Sequence, residues 1–105
     1  MFKILIIDDD IAVQILLKRM LEKEGYEVIA VSNGKYGIEQ AMIFPPAMII
    51  CDWMMPGLTG IDVCRYIKNS PYLSTTFFIL LTSLGSTADR VKGLDAGADD
   101  FITKP

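Results

Sequence analysis

Several short stretches of this chain are apolar almost without interruption, and each stops abruptly at a polar residue. Lys3 to Ile7 (Lys-Ile-Leu-Ile-Ile) ends at Asp8, Met48 to Cys51 ends at Asp52, and Phe77 to Leu81 ends at Thr82. A strand with one face in water alternates apolar and polar residues. A continuous run of about five points instead to a strand buried on both faces, as in parallel sheets covered by helices.

The segments between these runs read as helices. After the first run, Val13, Leu16, Leu17, Met20 and Leu21 recur at helical spacing, with Gln14, Lys18, Arg19, Glu22 and Lys23 on the other side and Gly25 placed to end the helix. A strand near Glu27 to Val31 follows, then a helix near Lys35 to Ile43 with Ile38, Ala41 and Met42 inward, and a Pro45-Pro46 break. Beyond the third strand come a helix from about Gly60 to Lys68, Pro71, the strand at Phe77, a helix near Ala88 to Ala96 and a short strand near Asp100 to Thr103. This alternation implies right-handed crossovers and an α/β, doubly wound, five-stranded parallel sheet. Five strands are followed by only four helices. The expectation is therefore one domain over 1–105, shortened after its fifth strand, with the final helix missing and one sheet face under-covered. Such a face invites self-association.

The 105 residues are 51% hydrophobic, enough for one core and one site. Ten basic residues stand against 13 acidic, a net charge of -3, and no Lys/Arg cluster marks a helix face, which argues against direct nucleic-acid binding. Cys51 and Cys64 lack metal-ligand spacing and there is no histidine, so they read as reduced thiols packed in a core. No apolar run approaches the length of a membrane span, and the start does not resemble a signal peptide. The expected location is the cytoplasm, without membrane attachment.

Ligands of open parallel α/β sheets bind at the carboxyl ends of the strands. Those ends carry Asp8, Asp9 and Asp10 after the first strand, Asp52 after the third, Thr82 after the fourth and Lys104 after the fifth. Clustered carboxylates repel unless they take up protons or bind a cation. A hard ion such as Mg²⁺, for which Mn²⁺ can substitute, takes oxygen ligands and commonly uses one or two carboxylates together with a phosphate oxygen, a role that suits Asp9 and Asp52. With that charge offset, an Asp52 oxygen can attack phosphorus, and Lys104 and Thr82 can bind the phosphoryl oxygens. Asp10, directly before the first helix, reads as its N-cap rather than as a ligand.

Four stretches, Ile-Leu-Ile-Ile-Asp-Asp-Asp, Cys-Asp-Trp-Met-Met-Pro-Gly-Leu-Thr-Gly, Leu-Leu-Thr-Ser and Gly-Ala-Asp-Asp-Phe-Ile-Thr-Lys-Pro, resemble in order and spacing the signatures of the response-regulator receiver domains of bacterial two-component signalling, the CheY-like superfamily. The resemblance covers the whole chain and implies the flavodoxin-like strand order 2-1-3-4-5. It further implies that Asp52 accepts phosphate from a histidine kinase or histidine phosphotransfer protein, that Asp9, Asp52 and the Met54 main-chain carbonyl bind the metal directly, and that Asp8 acts mainly through water. Thr82 and Phe101 would be a switch pair whose signal passes to a downstream output domain or protein, and the Lys104-Pro105 bond would be cis. The family often has tyrosine where Phe101 stands. The chain would then be a regulatory phosphoacceptor that assists its own phosphotransfer and dephosphorylation, not an enzyme acting on a separate substrate.

Other functions fit less well. A metal-dependent phosphatase needs a second acid/base beside the nucleophile and a cap, whereas Trp53 and Met54 follow Asp52 and no insertion is long enough for a cap. A dinucleotide binder needs glycines in the first strand-to-helix turn, and Asp8 to Ala12 has none. A receiver-like interaction module that is never phosphorylated has no need of the full acidic set.

Overall fold

The computed structural model describes residues 2–83 and 87–104. Five strands, β1 (Lys3–Ile7), β2 (Glu27–Val31), β3 (Met48–Asp52), β4 (Phe77–Thr82) and β5 (Asp100–Thr103), alternate with four helices, α1 (Ile11–Lys23), α2 (Gly34–Ile43), α3 (Gly60–Asn69) and α4 (Thr87–Asp95). The sheet is parallel throughout, in the order β2-β1-β3-β4-β5.

Local chemistry sets the helix ends. The Asp10 carboxylate accepts from the Ala12 and Val13 amides at 2.9 and 3.4 Å, the capping role its position suggested. At the other end of α1, Gly25 lies at φ +93°, and the Gly25 and Tyr26 amides donate to Glu22 O and Leu21 O. This is a Schellman closure, which needs the left-handed conformation at that position. Asn33 caps α2, and Thr59 with Asp62 forms a reciprocal capping box at the start of α3.

The two sheet faces differ. On one, α2, α3 and α4 cover Leu5, Ile7, Ile49, Cys51, Phe78 and Leu80, and Ala41, Val63, Cys64 and Ile67 complete the core. On the other, α1 covers Ile4, Ile6, Val28, Ile50, Ile79 and Leu81. Both cysteines are free and buried, as expected. Burial pushes the Cys64 thiol up to about 11 and also raises the Cys51 thiol well above its usual value, with the Asp52 charge adding to the effect at Cys51.

Helix α1 differs from its sequence reading. Val13, Leu17 and Leu21 pack on the sheet, but Leu16 and Met20 are exposed, and Gln14, expected on the outer side, is buried. The apolar arc of α1 is wider than the part of the helix that meets the sheet. Gln14 turns inward because strand-end carbonyls there require a donor. On α2, Ala41 is buried, Ile38 packs against the core, and Met42 is exposed. The Lys104-Pro105 bond lies outside the described residues, as does Leu84.

Candidate functional site

Strand register builds the site. Ile7 pairs with Cys51, so the next residues, Asp8 and Asp52, stand side by side where their strands end. Asp52 pairs with Leu81, so Thr82 stands one step further along β4. Thr82 in turn pairs with Thr103, and Lys104 follows. The Lys104 amide donates to the Thr82 carbonyl and the Trp53 amide to the Leu81 carbonyl at 2.9 Å, so pairing continues past the strand ends into the loops that carry the chemistry.

Asp8 is fully buried, Asp52 is buried, and Asp9 is exposed where the chain leaves the sheet. Each offers a carboxylate oxygen, and the three oxygens lie within 4.8 Å of one another. The Lys104 ammonium sits 3.2 Å from Asp52 Oδ1 and 3.3 Å from Asp8 Oδ2, bridging two carboxylates with one positive charge. Burial raises the Asp52 pKa, and the Asp8 charge adds to it; the Lys104 contacts oppose the shift without cancelling it. Burial alone would lower the Lys104 pKa, but its contacts with Asp52 and Asp8 outweigh burial and raise it.

Asp8 Oδ1 accepts from the Asp10 amide at 2.9 Å. Among the described residues, Asp8 Oδ2 is the buried side-chain oxygen with the fewest partners, the Lys104 ammonium at 3.3 Å being its neighbour. A carboxylate oxygen so placed beside two further carboxylates suits a hard divalent cation or its water ligands. The donor set is all oxygen, and neither cysteine belongs to the cluster.

The Met54 side chain points to solvent, between buried Trp53 and Met55. Thr82 is almost fully buried. Phe101 is buried on the α4 side of the sheet; the Trp53 ring meets it in a T-shaped contact with centroids 5.7 Å apart, and the Arg90 guanidinium lies 5.1 Å from its centroid. The Phe101 ring is thus turned inward in this structure. A hollow of about 560 Å³ lies along α3 between Asp62 and Pro71, and none of the rim carboxylates lines it.

Sequence reasoning missed three participants. The Gln14 amide donates to the Asp8 carbonyl at 2.6 Å, Arg90 covers the Phe101 ring, and Gly60 lets α3 approach the end of β3. A Cβ on Gly60 would fall 2.5 Å from the Asp52 carbonyl oxygen and 2.8 Å from Trp53 Cα. A buried polar residue inside an apolar helical stripe is the only signal that could have drawn attention to Gln14.

A five-stranded parallel sheet of order 2-1-3-4-5 with an acidic carboxyl rim is the flavodoxin-like arrangement of small α/β signalling domains. The family model for the response regulator receiver domain matches residues 4–105, and the chain belongs to that family. Over 103 residues it is 38% identical to the phosphate regulon transcriptional regulatory protein PhoB of Rhizobium meliloti, covering 98% of this chain and 45% of that protein. It is 41% identical to the transcriptional regulatory protein ResD of Bacillus subtilis, covering 98% and 42%. The chain thus spans less than half the length of these curated relatives. Among solved structures, the Vibrio cholerae chemotaxis protein CheY4 superposes with a TM-score of 0.95 at 28% identity, over 100% of this chain and 88% of that one. The signal receiver domain of a histidine kinase from Syntrophus aciditrophicus gives 0.92 at 41% identity, over 100% and 80%. Receiver domains are regulatory parts of two-component signalling systems, and this chain is a receiver domain of that kind. Among the described residues, no helix is long and apolar enough to cross a membrane.

Proposed function

We propose that Asp52 is the phosphoacceptor of this receiver domain and that its donor is a histidine kinase or a histidine phosphotransfer protein. One observation carries the reading: Asp8, Asp9 and Asp52 meet at a single rim with Lys104 bridging two of them. Asp9, Asp52 and the Met54 carbonyl would hold Mg²⁺ or Mn²⁺, with Asp8 acting through water. Bound there, such an ion supplies positive charge that offsets the carboxylates and the incoming phosphate.

The residues of the chain do the rest. An Asp52 carboxylate oxygen attacks the donor phosphorus, forming a new O–P bond as the P–N bond to the donor imidazole breaks, and the imidazole leaves with the electron pair. Lys104, already 3.2 Å from Asp52, holds that carboxylate in its ionised form and then pairs with a phosphoryl oxygen. The Thr82 hydroxyl donates to another phosphoryl oxygen. In this way the domain assists its own phosphotransfer and dephosphorylation. Thr82 drawn toward Asp52 removes volume beside β5, which locks the Phe101 ring inward and changes the α4–β5 surface offered to an output domain or protein. The 105 residues act as one such domain, working in the cytoplasm beside the kinase.

Intact mass spectrometry after incubation with a small acyl phosphate tests this. A single phosphoryl adduct should form with Mg²⁺, fail without a divalent ion, and vanish in Asp52→Asn. An equal adduct on the variant would reassign the acceptor. No adduct on the wild type under any ion would point instead to an interaction module that is never phosphorylated.

A further inference from the structure

Gln14 lies on α1 four residues after the N-cap Asp10, and its side chain turns back toward the ends of β1 and β2. Its Nε2 lies 2.6 Å from Asp8 O, 3.2 Å from Val31 O and 3.1 Å from Ser32 Oγ. Two protons shared among three acceptors hold the amide in one orientation. The Asp8 main chain is thereby tied at both ends, because its own amide donates to Val31 O at 3.1 Å while its carbonyl receives Gln14. Its side chain is held through Oδ1 by the Asp10 amide at 2.9 Å, while Oδ2 faces the Lys104 ammonium at 3.3 Å on the rim.

The Asp8 carbonyl belongs to the peptide plane that joins Asp8 to Asp9. Fixing this plane fixes the Asp9 N–Cα bond, leaving only the φ torsion about that bond to set the direction of Asp9 Cβ. The sheet cannot do this, since β1 ends at Ile7. From this geometry we infer that Gln14 is a positioning residue for cation binding: by holding the Asp8–Asp9 peptide it sets two carboxylates of the acidic cluster at once, without touching the ion. The inference rests on the reading of Asp8, Asp9 and Asp52 as a metal site. Residues that orient metal ligands from behind typically change affinity by about 10- to 100-fold when replaced.

The test is a Mn²⁺ titration of the intact chain, followed by the electron paramagnetic resonance signal of the free ion, together with a thermal melt of each metal-free variant. Gln14→Met keeps the length of the side chain and removes its donor. Gln14→Leu also removes the donor and provides a second variant should the first not fold. Leu17→Ala is the control, because it loosens α1 against the sheet without touching Asp8. Either Gln14 variant should weaken Mn²⁺ binding by about tenfold or more, while Leu17→Ala should lower the melting temperature and leave the dissociation constant within about twofold. Wild-type affinity in the Gln14 variants would overturn the inference. So would an equal loss of affinity in Leu17→Ala, which would make the effect one of general loosening. Wild-type chain that binds no Mn²⁺, or that binds it unchanged after Asp9→Ala, would overturn the metal-site reading itself and this inference with it.

Discussion

Two carboxylates in this fold carry pKa shifts of opposite sign. Burial and the charge of Asp8 raise the Asp52 pKa, so the folded state holds its proton more tightly than the unfolded chain does. The stability this provides is fully present below the unfolded value of about 3.9 and is lost as pH rises through the folded value, so the ionised group opposes folding at neutral pH. Asp99 is the reverse. Its partial burial works against ionisation, but Lys68 Nζ at 2.6 Å and the Phe78 amide at 2.8 Å outweigh it and lower the pKa. The resulting stability is present above the unfolded value and is lost as pH falls through the folded one. At pH 7, thermal melts should therefore show Asp52→Asn above the wild type and Asp99→Asn below it, and both differences should shrink once the solution is acid enough to protonate each group in both states. A stabilised Asp99→Asn or a destabilised Asp52→Asn would reverse the sign assigned to that carboxylate's contribution to stability. A third residue-scale prediction concerns Arg90. Its contact with the Phe101 ring is of the kind that contributes about 0.5–1 kcal/mol at exposed positions. Arg90→Met should loosen the ring and thereby alter the emission of Trp53, the single tryptophan, which packs against it. An emission spectrum identical to that of the wild type would show that Trp53 alone holds the ring.

The elements that carry the rim were legible because a buried strand announces itself by an unbroken apolar run and ends within one residue of it, β3 and β4 reaching on to Asp52 and Thr82. Asp8, Asp52 and Thr82 could thus be placed at strand ends, and β1, β2 and β5 match their sequence boundaries residue for residue. Positions set by the approach of one element to another were not legible, since no local pattern records them. Gly60 reads as a helix-end residue in the sequence, while in the fold it is where α3 meets the backbone of β3. Gly37 also faces its neighbour closely, but the atoms a Cβ would meet at 2.4 and 2.8 Å, Cδ1 and Cγ1, both belong to the Ile7 side chain. Ile7 can rotate and a main-chain carbonyl cannot. Gly60→Ala should therefore cost more than Gly37→Ala in urea denaturation, at or above the upper end of the roughly 1–3 kcal/mol typical of overpacked sites. Gly37→Ala should fall nearer the lower end, because alanine recovers up to about 1 kcal/mol of helix propensity in the interior of α2. Equal losses would mean that α3 can shift away from β3 as easily as Ile7 can turn. Helix α1 makes the same point: its apolar spacing was plain, yet which residues meet the sheet depended on how far one helix can reach. Gln14 went inward against its polarity because two strand-end carbonyls were waiting for a donor.

Across the whole molecule, the reach of α1 decides what remains exposed. Along the face it covers, exposure is 0% at Ile6 on β1, 8% at both Ile50 on β3 and Leu81 on β4, and 45% at Ile102 on β5. On the opposite face, beneath α2, α3 and α4, Ile7, Ile49, Phe78 and Leu80 are all at 0%. The imbalance opens a groove of about 170 Å³ lined by Val13, Leu16, Leu17, Leu81 and Lys104, and exposed Leu16 and Met20 continue it along α1. Apolar surface of this kind is drawn toward whatever can cover it. The groove also reaches Lys104, whose ammonium bridges Asp8 and Asp52, so an occupant would pack on the lysine stem and withdraw water from one side of the rim. The 105 residues alone should accordingly self-associate at high concentration through this face. A chain extended beyond Pro105 by one amphipathic helix should remain monomeric and melt at a higher temperature. Leu16→Glu should return the short chain toward monomer with little loss of stability, because that side chain is already 59% exposed. Sedimentation velocity over a concentration series, with thermal melts of both lengths and of the variant, checks all three outcomes. A short chain that stays monomeric throughout and melts with the extended one would show that α1 alone covers this face adequately, and the rise in exposure from β1 to β5 would then have no energetic weight.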